Sequence, residues 1–166
     1  MSQSDPIEIR FTGVRVRYES AKSYDELVAA LLADVGDRPV PIDDFPKEFD
    51  SWESYRSKVE THVGVSGFML FTMFDHGGWI TKAGIDRQVL RVIIGNPLIA
   101  ITMLRHDVTA GLFAPVELLL VGEQQGSSLT YVKPSSLMVV DDNPALSAAA
   151  EELDAKLAAL AAKAAA

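Results

Sequence analysis

Cysteine is absent from the 166-residue chain. Disulfides, thiolate catalysis, zinc-finger sites and iron–sulfur ligation are excluded with it. Histidine is scarce, at three residues (His62, His76 and His106), so acid–base chemistry near neutral pH has few candidates. Basic residues are outnumbered, 15 against 23 acids. The net charge of −8 repels phosphate backbones and argues against nucleic acid as a partner. Long apolar runs are missing too. Arg91, Pro97, Arg105, Pro115 and Glu117 break up the strongest ones, and none approaches the ~20 residues of a membrane span. Met1 to Pro6 is polar, with no basic start leading into an apolar stretch. A cytoplasmic protein with no membrane partner is the expectation. There is no GxGxxG, no phosphate loop with Lys-Ser/Thr, no Gly-x-Ser-x-Gly elbow, and no HxxxH or HExxH spacing. No bound organic cofactor and no metal are expected.

What is present is an ordinary globular balance, 48% hydrophobic and 23% charged. The length suits one domain over residues 1–166. Ile7, Ile9 and Phe11 alternate with polar residues, and Val14, Val16 and Tyr18 do so in the opposite phase. Period two predicts strand, with a bulge or turn at Gly13. Ser23 and Glu26 form a capping box ahead of a helix that Gly36 stops. Pro39, Pro41 and Pro46 make 37–49 a loop, and Asp50-Ser51-Trp52-Glu53 opens a second helix. Phe68–Phe74 reads as a buried strand with Phe68, Leu70 and Phe74 on one face and Met69, Phe71 and Met73 on the other. Asp75-His76-Gly77-Gly78 breaks it, and Gln88–Ile94 is the next strand. Asn96 and Pro97 are a favourable cap and first position for a helix reaching about His106. Val116–Val121 and Leu129–Val132 form a hairpin, and a last helix starts at Asn143-Pro144. Residues 1–6 and 161–166 are expected to fray. The order β-α-α-β-β-α-β-β-α predicts an α+β domain, an antiparallel sheet with helices packed on one face.

Residues 67–138 resemble the family filed as domain of unknown function 302. The features that carry the resemblance are Asp75-His76 after an apolar strand, Gly84, Gly95-Asn96-Pro97, Arg105-His106-Asp107, Gly111-Leu112-Phe113-Ala114-Pro115, Tyr131 and Pro134-Ser135-Ser136-Leu137. The chain is similar to the longer subgroup, over about residues 9–160; segment 37–64 is then a loop plus helix insertion relative to the shorter form. The resemblance implies a compact sheet gripping helices, like the TATA-binding-protein-like superfold, and often a homodimer. It implies no reaction.

His76, set between Asp75 and two glycines at a strand end, is the first catalytic candidate, as proton donor or acceptor. Asp75 or Glu117 would orient it. The alternative is that Asp75 caps the turn and His76 bonds a backbone carbonyl. Arg91 and Glu117 each interrupt an apolar strand. Either Arg91 grips an anionic ligand group at the bottom of a pocket, or the two pair across a solvated face. Met69, Phe71, Met73 and Trp79 are candidate apolar walls, and His106 a candidate ligand contact; Arg105-His106-Asp107 equally suits a helix C-terminus. The double-sided apolar strand needs cover, from a ligand cavity or from a second copy. Two functions follow as expectations. The first is a small-molecule-binding domain near His76, able to do cofactor-independent proton transfer of the lyase or isomerase type. The second is a non-catalytic homodimeric binding or scaffold protein.

Overall fold

The computed structural model describes residues 5–166. Five antiparallel strands form one sheet in the order β1-β5-β4-β3-β2, with β1 Arg15–Ser20, β2 Met69–Asp75, β3 Val89–Gly95, β4 Val116–Gly122 and β5 Ser127–Val132. The helices are α1 Tyr24–Val35, α2 Phe45–Glu48, α3 Trp52–Glu60, α4 His76–Ile80, α5 Pro97–Leu104, α6 Pro134–Met138 and α7 Pro144–Ala165. The α+β architecture is as expected, and it is compatible with the superfold that the resemblance implies.

Alternation along the strands builds the core. Leu90, Val92 and Ile94 of β3, Leu118 and Leu120 of β4 and Leu129 of β5 meet Leu27 and Leu31 of α1 and Leu153, Leu157 and Leu160 of α7. Burial of apolar area on this scale is the main stabilising term. The helices start where the sequence places them. Ser23 accepts from the Glu26 amide while Glu26 reaches back to Ser23. The Asn96 Oδ1 accepts from the Leu98 amide at 2.8 Å, with Pro97 as the first helical residue. The β4–β5 turn ends at Gly126, whose positive φ of 74° suits a residue without a side chain.

Three expectations are corrected. The first concerns Ile7–Phe11, which forms no strand. Residues 5–14 are exposed coil, and Phe11 touches Phe113 at 6.0 Å between ring centroids. Period two was present, but a strand also needs a neighbour to bond to, and β1 pairs only with β5. Expected fraying at 1–6 falls partly on residues 1–4, which lie outside the described residues.

The second correction is at the other end. α7 continues to Ala165 with Ala161 and Ala164 buried. Small side chains let this turn approach α1 and β1 closely. Hydrogen bonds hold it: Ser20 Oγ donates to Ala165 O at 2.6 Å, and Lys163 Nζ meets Asp34 Oδ2 at 3.1 Å.

The third concerns β2. Leu70 pairs with Ile94 and Thr72 with Ile93, so Phe71 is an extra residue, a β-bulge. Parity switches there. Met73, opposite Val92, turns to the main core, whereas Met69 and Phe71 enter a second cluster with Phe45 and Val59. Met69, Phe71 and Met73 therefore do not share a face. The cover that this strand needs comes from within the chain, from segment 37–64.

Candidate functional site

His76 lines neither of the two depressions described below. Asp75 is the N-cap of α4, its Oδ1 accepting from the Gly78 amide at 3.0 Å. Both glycines are tightly placed: a Cβ on Gly77 would sit 2.9 Å from the Arg87 carbonyl oxygen, and one on Gly78 would sit 2.9 Å from Asp75 Oδ2. Asp75 thus has the capping geometry, and no hydrogen bond joins it to His76. His76 is half-buried, and its Nδ1 accepts from the Trp79 indole N–H at 3.3 Å. Trp79 stands edge-on to it, 60% exposed, and walls no cavity. Glu117, on β4, is remote from this turn in its bonding and pairs with Arg91 instead.

His106 is exposed just beyond α5; its carbonyl oxygen accepts from Asn143 Nδ2 at 3.4 Å. Asp107 caps the following 3-10 turn through the Thr109 amide at 2.8 Å. These contacts are those of a helix end. Among the described residues no group of three or more His, Asp or Glu side chains is placed to hold a metal ion. No helix among them is long and apolar enough to cross a membrane.

The first depression is an apolar cavity of about 240 Å³ where β2 starts, β3 ends and the insertion folds back. Phe71, Gly95, Ile99, Ala100 and Pro115 form its walls. The bulge puts Phe71 there, and Gly95 makes room for it: a Cβ on Gly95 would meet the Phe71 ring at 2.8 Å and Pro115 at 3.1 Å. Three polar side chains line it, Asp43, Tyr55 and Asn96, and the Asn96 amide is already engaged by Leu98 and Gly67. Burial, with a contribution from Asp43, raises the Tyr55 hydroxyl above its usual value, so it stays protonated at neutral pH. Of the expected wall residues only Phe71 is here. His76 opens α4 at the far end of β2 and is not among the residues that line this cavity.

The second depression is wider, about 890 Å³, and is the sheet face opposite the helices. Its floor carries Leu119 and Val121, and it is ringed by Arg15, Arg17, Arg87 and Arg91, four of the chain's eight arginines. Arg91 and Glu117 sit diagonally on β3 and β4, joined by two hydrogen bonds, one of them Nε to Oε2 at 3.1 Å. Arg91 also covers the Phe74 ring at 5.7 Å. Glu123 takes Arg17 at 3.1 Å and Arg87 at 3.0 Å. The Ser128 hydroxyl, with both arginines, holds the Glu123 carboxyl below its usual range. The solvated cross-strand pair is therefore the geometry that Arg91 and Glu117 adopt.

The sequence reading missed Asp43, Tyr55 and Gly95. The proline-rich stretch 37–49 reads as a connector, and its packing against β2 is a long-range fact. Gly95-Asn96-Pro97 carried a usable signal: a glycine ahead of a helix cap often marks close backbone approach.

A family model described as "Domain of unknown function DUF302" matches residues 46–164. The crystal structure of an uncharacterized conserved protein DUF302 from Bacillus stearothermophilus superposes with a TM-score of 0.64 at 17% identity, covering 90% of this chain and 97% of the other. That likeness concerns the fold. No curated protein matches the chain.

Proposed function

The chain belongs to the DUF302 family, and on that premise we propose that it binds a small, mainly apolar molecule in the cavity between Phe71, Gly95 and Ala100. The observation that carries the reading is an apolar cavity with few polar groups converging on it, the usual form of a small-molecule site. At about 240 Å³ it is compact. A dry cavity of roughly 150 Å³ holds benzene, so this one has room for a ring and a short tail. Asp43 at the mouth favours a tail that donates a hydrogen bond or carries positive charge, and the protonated Tyr55 adds one donor and one acceptor. His76 does not line this cavity, so the proposal is one of binding and assigns no reaction.

The test is ligand-observed NMR with benzylamine, benzyl alcohol and benzoate. Binding should rank in that order. Ala100→Phe should fill the cavity and abolish binding while the circular dichroism of the fold persists; His76→Ala should leave binding unchanged. Absence of binding by all three probes, or equal binding to Ala100→Phe, overturns the reading.

A second reading concerns the opposite sheet face. Its apolar floor, Leu119 and Val121, is the observation that favours it. A second copy seated there would make the homodimer expected from the sequence.

A further inference from the structure

The open sheet face carries a charge imbalance that its own residues do not resolve. Alternate residues of a strand share a face, which puts Arg15, Arg17 and Glu19 of β1 beside Arg91 of β3 and Glu117 of β4. Arg87 and Glu123 join them at one end. Three glutamates therefore meet four arginines. Glu117 holds Arg91, Glu19 holds Arg17 at 3.0 Å, and Glu123 spans Arg17 and Arg87. Arg15 is left over. It is exposed at the rim, and its side chain makes no hydrogen bond or salt bridge with the described residues. Charges just outside the face are matched among themselves: Lys133 has Asp154 at 3.7 Å, and Glu8 has Arg10 at 4.0 Å. One uncompensated cation thus stands on a chain whose net charge is −8.

The surroundings of Arg15 narrow the anion that would meet it. Val132 faces Arg15 across the β1–β5 ladder, and Thr130 faces Arg17. Arg15 and Thr130 are therefore diagonal neighbours on one face, roughly 7–8 Å apart between Cα atoms, within reach of one small anionic group. The Thr130 hydroxyl lines the depression and has no side-chain hydrogen-bond partner among the described residues. A guanidinium fork matches a carboxylate through two parallel hydrogen bonds, and the hydroxyl adds a third donor. One surplus charge suits a monoanion; a phosphate carries close to two. The floor beside these groups is apolar, with Val132 and Leu119 in it and Leu137 lining it too. From β1 across β5 to β4 is two strand spacings, roughly 10 Å, which a single benzene ring does not cover.

We infer that the open sheet face binds an organic monocarboxylate with an extended apolar body, its carboxylate on Arg15 and Thr130 and its body over Val132 and Leu119. This site is separate from the first cavity and independent of the reading given for it. The two have opposite preferences, because Asp43 marks the cavity and Arg15 the face. A second copy is the rival occupant of the face. It would cover the same floor, but it would add a second unmatched arginine and supply no anion for the first.

The test is an amide NMR titration with 2-naphthoate, and with 2-naphthalenemethanol as its uncharged analogue. Naphthoate should shift the amides of Arg15, Thr130, Val132 and Leu119, and the alcohol should bind there about tenfold more weakly, since it forgoes the hydrogen bonds to a charged group. Arg15→Gln should weaken naphthoate by a similar factor while the spectrum of the fold persists. Arg15→Lys, which keeps the charge without the fork, should fall between. Glu117→Gln releases Arg91 beside Leu119 and should tighten naphthoate severalfold. Face amides that do not move at millimolar naphthoate overturn the proposal. So does equal affinity for acid and alcohol, or an Arg15→Gln chain that binds as wild type does. Shifts confined to Gly95 and Ala100 place the acid in the first cavity and overturn it as well. A dimer in sedimentation whose face amides ignore naphthoate assigns the face to a second copy, again against the proposal.

Discussion

Asn96 performs two tasks with one amide. Its oxygen caps α5 and its nitrogen donates to the Gly67 carbonyl at 2.8 Å, tying the helix start to the turn that leads into β2. Asn96→Ala loses both, and the cap alone is worth about 0.5–2 kcal/mol. Asn96→Asp keeps the acceptor and loses the donor. Urea denaturation should therefore rank wild type above Asn96→Asp above Asn96→Ala; equal stability of wild type and Asn96→Asp would show that the Gly67 bond contributes nothing. Asp34 is the other residue with structural leverage. Burial pushes its carboxyl up, but hydrogen bonds from Ser66 and the Lys163 ammonium outweigh this and hold it below its usual value. A depressed carboxyl gives stability that is present above the unfolded value near 3.8 and lost as pH falls through the folded one. Asp34→Asn should cost about 1–3 kcal/mol at neutral pH and shrink toward zero cost in acid. A cost independent of pH from 7 to 3 would remove the ionic part of this account.

At the scale of elements, α7 is the clasp of the fold. Its last turn receives the Ser20 hydroxyl at the Ala165 carbonyl and the Lys22 ammonium at the Ala164 carbonyl, besides the Lys163–Asp34 pair. A chain ending after Leu160 should lose several degrees of melting temperature, since about 1 kcal/mol corresponds to 2–4 °C at this size; an unchanged melting temperature would mean that the turn is an ornament. This helix end also shows why legibility stops where it does. Leu153, Leu157 and Leu160 announce a packing face by their spacing, but alanines announce nothing, and only the close approach of α1 and β1 makes Ala161 and Ala164 interior residues. Capped starts at Ser23, Ser51, Asn96 and Asn143 were legible because the cap and its amide lie within three residues of each other. The cavity was not, since Asp43 and Tyr55 reach Gly95 only through the tertiary fold. Asp75-His76 was legible as a break, and Asp75 as a cap was one of two readings, because a capping aspartate and a catalytic one look alike in sequence.

Across the whole molecule, carboxyl groups set the response to acid. Glu26, Asp34, Asp107 and Glu123 are all held below their ordinary values by hydrogen bonds or cations. The unfolded chain therefore binds protons more tightly at these positions, and stability should decline once pH drops below about 4.5, the ordinary glutamate value. Thermal melts from pH 7 to pH 3 would check this; a melting temperature that rises on acidification would contradict it. One irregularity has a reach out of proportion to its size. The extra residue at Phe71 is a phase defect in an otherwise even-numbered lattice: β2 begins in one frame and finishes in the other, which lets a single strand furnish two separate interiors. Segment 37–64 closes the second of these interiors. Excising the segment alone would leave Met69 and Phe71 facing water. Removing residue 71 as well would bring the end of the strand into the frame of its start, yet Met69 would still point away from Leu70, so the segment and not the defect is what keeps that side dry.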